Sequence, residues 1–469
     1  MKKITSYYKV TNKLFSKYIS TKKLKIENIA DNSDIIPADG HDIGNYVARY
    51  GMANFQIQAI MKLDGRLDFD RLSRAVRLSV DKEPVFGCRF VKSNPPYWKR
   101  LDDIDNVKFC SLEETDNPDE AIQRFLASSL DIDHGPMVKV KLIRSGRYDT
   151  LGIKVNHICC DGAGAKEYFL LLSNIYSRIG CKCCDFVPEP SIRSKNDHHK
   201  LFKALGKDNL KAAWNSKQRI PIPLWRFPWK NGRRGTTRFV VCRLPYGQLD
   251  EMNTYAKARG ATINDLILTA IYRAMFDMSK IPYGVPMDIP VTLDLRRYLP
   301  DQKTEAIRNL TGGLIIKKAR KAHESFEGTL SRVMSETKEI KNGHPGIQNA
   351  IGAEIAENIN FHQICAYFKA VSQIIETTSQ NPFYVVNTCG LTLSNFGFVS
   401  KPLIKFGNNV VTDAYIIPPV VRAPGILLVA STYNGIITLS VGYYKPSARR
   451  TDMEKLLNKI KIELMEGCK

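Results

Sequence analysis

His157 and Asp161 stand four residues apart in the stretch VNHICCDGAGAKEYF, and Gly162 follows directly. Imidazole is the side chain whose ordinary pKa lies nearest neutrality, so His157 is equipped to accept a proton from one group and return it to another. A carboxylate buried four residues later needs a partner, and an arginine distant in sequence can supply one. Gly162 carries no side chain and leaves space beside the histidine. A helix opening at this point directs the positive end of its dipole to the same place. The chemistry on offer is general-base catalysis on a substrate admitted beside the histidine. The plain alternative is a core histidine next to an ordinary Asp-Gly turn. A chance HxxxDG is expected in roughly three chains per hundred of this kind, so the triplet is suggestive and needs context.

The flanking periodicities supply the positioning elements. MVKVKLIRSGRYDTLGIKVNH (137–157) alternates as a hairpin, with a turn in SGRYD. Leu151, Ile153, Val155 and His157 share parity, which places His157 at the end of a strand on its buried side, with Asn156 turned away. Beyond Gly162, Phe169, Leu172, Ile175, Tyr176 and Ile179 trace a helical stripe that Gly180 ends. The triplet therefore sits at a strand-to-helix junction. Upstream, Phe69, Leu72, Val76 and Val80 form one apolar helical face, and Asp68 is placed to cap it. Downstream, helices are expected near 247–259 and 263–278, the second opened by a Thr262–Asp265 capping arrangement. Two longer helical patterns run through 319–342 and 346–373. ILLVASTYNGIITLSVGYY (426–444) reads as a hairpin turning at Asn434-Gly435, and a last helix closes the chain.

The chain has 469 residues, enough for two or three cores. We divide it into a basic extension (1–35), an N-terminal lobe (36–187), a proline-rich crossover (188–235) and a C-terminal lobe (236–469). Both lobes mix strands with helices, so the fold class is α/β (α+β), with a cleft expected between the lobes. The formal net charge of +22 suits anionic partners such as phosphates, an acidic protein or a membrane surface. No nucleic-acid motif accompanies it. The 11 cysteines follow no disulfide or zinc-finger spacing, CKCC (181–184) included, so they read as reduced thiols with no metal. No signal-peptide or membrane-span pattern is seen; the expected location is the cytoplasm, with peripheral membrane contact through the basic surface a further option.

NHICCDGAG resembles the HHxxxDG signature of the superfamily that contains chloramphenicol acetyltransferase, nonribosomal-peptide condensation domains, polyketide-associated acyltransferases, wax-ester synthases and alcohol acetyltransferases. Further segments match in order. LDGRLDFDRLSRAVRLSVDKEPVFGCRFV (63–91) resembles the family's opening strand and helix, and DIDHGPMVKVKLI (131–143) the lead into the motif. ATINDLILTAIYRAM (261–275), IPVTLDLRRYLP (289–300), RNLTGG (308–313) and LSNFG (393–397) resemble segments of the second lobe. The resemblance implies a pseudo-dimer of two chloramphenicol-acetyltransferase-like lobes with a tunnel at their interface. It makes His157 the general base that deprotonates an acceptor hydroxyl or amine for attack on a thioester.

By the same carry-over Asp161 is architectural, with Arg296 its expected salt-bridge partner across the lobes; Arg297 is the alternative. Gly162 would keep the tunnel open, and Asn156, Ser394 and Asn395 are assigned to it, the last in a loop that either joins the lobes or lines the tunnel. Acyl-CoA or a phosphopantetheine thioester on an acyl carrier protein would be co-substrate, with no permanently bound cofactor. Transfer to an alcohol or lipid-like hydroxyl is expected. A free-standing condensation enzyme forming an amide and a non-catalytic homologue are the alternatives. Asn156 replaces the first histidine of the signature, and the DFGWG of the plant branch is absent. No adenylation module or carrier attachment site occurs in the sequence, which reads as a stand-alone enzyme.

Overall fold

The computed structural model describes residues 34–180, 186–193, 196–216, 224–279, 282–379, 381 and 389–469. The expectations for the basic extension, apart from its last two residues, and for CKCC at 181–184 fall outside these residues.

The alternating segments of the first half supply four strands of a mixed six-stranded sheet. Its order is β12-β13-β2-β7-β6-β5, where β2 is Gln56–Leu63, β5 Cys110–Glu114, β6 Val138–Ser145, β7 Tyr148–Asn156, β12 Lys405–Phe406 and β13 Asn409–Ile417, while β1 (Ile35–Pro37), β3 (Cys88–Val91) and β4 (Tyr97–Arg100) form a separate small sheet. The predicted 137–157 hairpin is β6 and β7. Helix Phe69–Lys82 is capped by Asp68, whose side chain accepts from Arg71 N. It packs against helix Gly162–Arg178, where the Ser79 and Tyr168 hydroxyls lie 2.9 Å apart.

The second half builds its own six-stranded sheet, β10-β9-β11-β14-β15-β8. Here β8 is Thr237–Arg243, β9 Pro286–Asp294, β10 Thr311–Ala319, β11 Gly390–Phe398, β14 Gly425–Tyr433 and β15 Ile436–Tyr444. The Asn434-Gly435 turn joins β14 to β15, with both residues at positive φ, as a two-residue hairpin of this twist requires. Helix Ile263–Met278 opens with the predicted box, Thr262 and Asp265 capping each other's backbone. Each sheet sits in its own apolar core, so two lobes of mixed α/β architecture face each other.

Three expectations change. Residues 236–469 do not all belong to the C-terminal lobe, because β13 crosses over to pair with β2 of the first lobe and carries β12 on its far edge. Ala414 and Ile416 are buried in the first core, where that strand leaves no open edge beside β2. The crossover is more than a linker. It holds helix Asn196–Asn215, broken at Gly206, which buries Leu201 and Leu205 against Leu295, Ile347 and Ile351. The 319–342 and 346–373 patterns resolve into helices Phe326–Lys341, Ile347–Ala356 and Phe361–Ser379. β10 claims residues up to Ala319, and the chain turns at 357–360. Among the described residues no helix is long and apolar enough to cross a membrane.

Candidate active site between the lobes

His157 is the first residue beyond β7 and is half-buried. Its amide donates to Phe55 O at 2.8 Å, across from the Gln56–Asn156 register pair that ends the ladder. Phe55 holds φ at +48°, a left-handed conformation that a bulky side chain rarely adopts and that costs on the order of 1–3 kcal/mol. Asn45 Nδ2 donates to His157 O at 3.1 Å. The backbone at this position is thus held from both sides. Both faces of β7 are buried near its end, so the side that parity gives Asn156 is not solvent. Asn156 is buried, and its Oδ1 accepts from Ile158 N at 3.0 Å, closing the turn that leads to Asp161.

The imidazole reaches across to the second lobe. His157 Nδ1 lies 3.3 Å from Asn309 Oδ1. Asn309 Nδ2 donates to Ile158 O at 2.7 Å, which fixes the amide with its oxygen toward the ring. An oxygen acceptor at Nδ1 calls for the proton there, and the lone pair then sits on Nε2. Asn309 was missed in the sequence reading, although RNLTGG was singled out. The signal available was a polar residue inside a buried segment, 152 positions away from the base it contacts.

Asp161 has the opposite surroundings. It is 1% exposed and caps helix Gly162–Arg178, accepting from Gly164 N at 2.9 Å. Its Oδ2 accepts from Arg296 Nη1 at 2.9 Å, from Leu310 N at 2.7 Å and from Thr311 Oγ1 at 3.0 Å. Burial pushes the carboxyl pKa up. The Arg296 guanidinium and the hydrogen bonds it receives outweigh that and hold it down at about 2. Arg296 is itself 3% exposed, and it also donates to Arg308 O and Asp294. Arg297 is exposed and lies over the Tyr298 ring, so of the two arginines Arg296 makes the interlobe ion pair. A second buried arginine, Arg308, joins Asp39 and Asp197 at 2.8 and 2.9 Å.

Gly162 does not face open space. A Cβ there would lie 2.7 Å from Cε2 of Phe396, so the missing side chain admits an aromatic ring from the other lobe. Ser394 and Asn395 belong to β11 and not to a loop. The strand is bulged between Asn395 and Gly397, and Gly397 takes φ +62°, the conformation that suits glycine at a bulge. Ser394 Oγ accepts from Thr292 Oγ1 at 2.9 Å. Asn395 accepts from Gly397 N and approaches Asn264 at 3.4 Å, both within its own lobe. The contact between lobes in this segment comes from Phe396, whose carbonyl accepts from Lys166 Nζ at 2.9 Å. Asn309 therefore joins His157 directly, Asp161 and Arg296 lie beyond the turn, and Ser394 and Asn395 stay within β11.

Solved structures share this fold along nearly the whole chain. The first condensation domain of the calcium-dependent antibiotic synthetase superposes with a TM-score of 0.67 at 15% identity, covering 93% of this chain and 97% of that one. The chain has the fold of that condensation domain. The trichothecene 15-O-acetyltransferase TRI3 of Fusarium sporotrichioides gives a TM-score of 0.66 at 13% identity over 93% of this chain and 96% of that one. The family model "Condensation domain" matches residues 51–280, a span that holds the HxxxDG triplet. An uncharacterized protein of Mycobacterium tuberculosis, Rv2305, is 27% identical over 305 residues, 61% of this chain. The aligned part spans 64% of that relative's length.

Proposed function

We propose that the protein transfers an acyl group from a thioester donor, acyl-CoA or an acyl carrier protein, to an alcohol or lipid-like hydroxyl. The observation that carries this reading is the His157–Asn309 contact, which favours a proton on Nδ1 and leaves Nε2 as the base. In the reaction Nε2 takes the hydroxyl proton as the acceptor oxygen attacks the thioester carbonyl. A C–O bond forms, the C–S bond breaks, and the imidazolium returns the proton to the departing thiolate. Asp161 and Arg296 hold the turn and the two lobes and touch no reacting atom in this scheme. Similarity in fold to an O-acetyltransferase supports a hydroxyl acceptor. The condensation-domain match favours the second reading, in which the same base deprotonates an amine and the product is an amide.

The test is acceptor-dependent thiol release from acetyl- to palmitoyl-CoA with a panel of alcohols and amines. Release with alcohols is expected, falling about 10²–10⁴-fold in His157→Ala, with an unchanged circular dichroism spectrum. Release with amines alone supports the amide reading. Wild-type turnover in His157→Ala overturns the mechanism. If no CoA serves, the same panel with a loaded carrier protein decides between a carrier donor and no transferase activity.

A further inference from the structure

Away from the His157 turn, three separated residues converge on one point. His198 lies in the first turn of helix Asn196–Asn215, Glu354 in the last turn of helix Ile347–Ala356, and Glu357 caps the end of the latter. We propose that these three residues bind one divalent transition-metal ion, with zinc as the representative ion. One ligand atom from each lies within 4.8 Å of the other two. His198 Nδ1 is 3.5 Å from Glu354 Oε2. Ligand atoms of a tetrahedral zinc site, with bonds of about 2.0–2.1 Å, are separated by about 3.3 Å, so that edge is already near its final length.

The glutamates are three residues apart and share one helical face. Glu357 is oriented by a hydrogen bond from Gly40 N at 2.8 Å. His198 is 3% exposed; Nδ1, on the Glu354 side, is the nitrogen that would bind the ion, and Nε2 on the far side of the ring is buried without a hydrogen-bond partner. The His41 ring stands edge-on to it at 5.3 Å, and its Nε2 is buried and unpartnered as well. Buried imidazole nitrogens are ordinarily hydrogen-bonded or metal-bound. Imidazole with carboxylates is a donor set for first-row divalent ions, and three protein ligands leave a fourth position for water or His41. The ion would clasp the crossover helix to helix Ile347–Ala356, one residue from Asp197 and its Arg308 ion pair. The clasp is structural and independent of the acyl-transfer reading.

The experiment uses the whole chain, stripped with a chelator, incubated with Zn²⁺ and desalted. One zinc per chain is expected, with only nitrogen and oxygen in the X-ray absorption shell and a rise in melting temperature that chelator reverses. His198→Ala should lose the ion. Glu357→Gln, at a half-buried position, should bind at least tenfold more weakly while keeping the native fold, and it decides the matter if His198→Ala does not fold. The proposal fails if the wild type retains no zinc or if Glu357→Gln binds with unchanged affinity. A sulfur shell, which would place the ion on cysteines, also overturns it.

Discussion

The two ends of the turn between β7 and the helix at Gly162 are built to opposite rules. At the Asp161 end the carboxylate accepts from Arg296, Leu310, Thr311 and Gly164 and is closed to solvent. At the His157 end the ring makes a longer hydrogen-bond contact, to Asn309, and remains half-buried. A side chain satisfied on every side has nothing left to offer a substrate. One held at a single nitrogen has the other free for chemistry. The contrast separates a residue that joins the lobes from the one proposed to react, although only four positions in sequence divide them.

Substitutions at the two ends test this contrast. Asp161→Ala leaves the Arg296 guanidinium buried without its main counter-ion, and breaking a buried pair from one side costs about 3–5 kcal/mol. Urea unfolding should show that loss, whereas His157→Ala should lie within about 0.5 kcal/mol of wild type, as expected of a side chain without a buried network. Equal losses for the two variants would erase the distinction.

The pH dependence of stability should follow the same division. Asp161 has a folded pKa of about 2 against an ordinary value of 3.8. Its contribution is therefore complete above pH 3.8 and is lost as pH falls toward 2, amounting to on the order of 2 kcal/mol. Acid unfolding of Asp161→Asn should lack that component, and an unchanged acid limb would remove Asp161 as its source.

Gly162→Ala should cost about 1–3 kcal/mol, because its Cβ meets the Phe396 ring. Pairing it with Phe396→Leu should recover part of the loss in a double-mutant cycle. Strict additivity would mean that the two residues do not press on each other. The smallest effect belongs to Asn309→Leu, expected to lower kcat roughly tenfold at unchanged KM. ¹⁵N NMR of His157 should show the Nδ1–H tautomer losing its preference. A KM effect with an unaltered tautomer would make Asn309 a packing residue only.

Much of this was legible in residue order. Asp68, Thr262 with Asp265, and Asn434-Gly435 announced two helix starts and a hairpin, since caps and two-residue turns are satisfied within a few residues. HxxxDG marked the turn that carries the candidate base. Helix Asn196–Asn215 escaped notice because prolines surround it and its apolar face waits for Leu295 and Ile351. The burial of Asn156 left no trace in the pattern, because a strand buried on both faces carries no alternation of polarity.

Local chemistry thus settled which residue types stand at the junction, where the helix begins and which side chain is able to move a proton. The folded lobes alone decided that Arg296 and not Arg297 meets Asp161, that Asn309 reaches His157, that Phe396 fills the gap at Gly162, and that β13 leaves its own half to complete the first sheet. Caps, turns and periodicity are interactions between near neighbours and are written in spacing. Ion pairs and ring contacts across an interface join positions more than a hundred residues apart. Their partners are selected by packing and burial, for which no spacing rule exists.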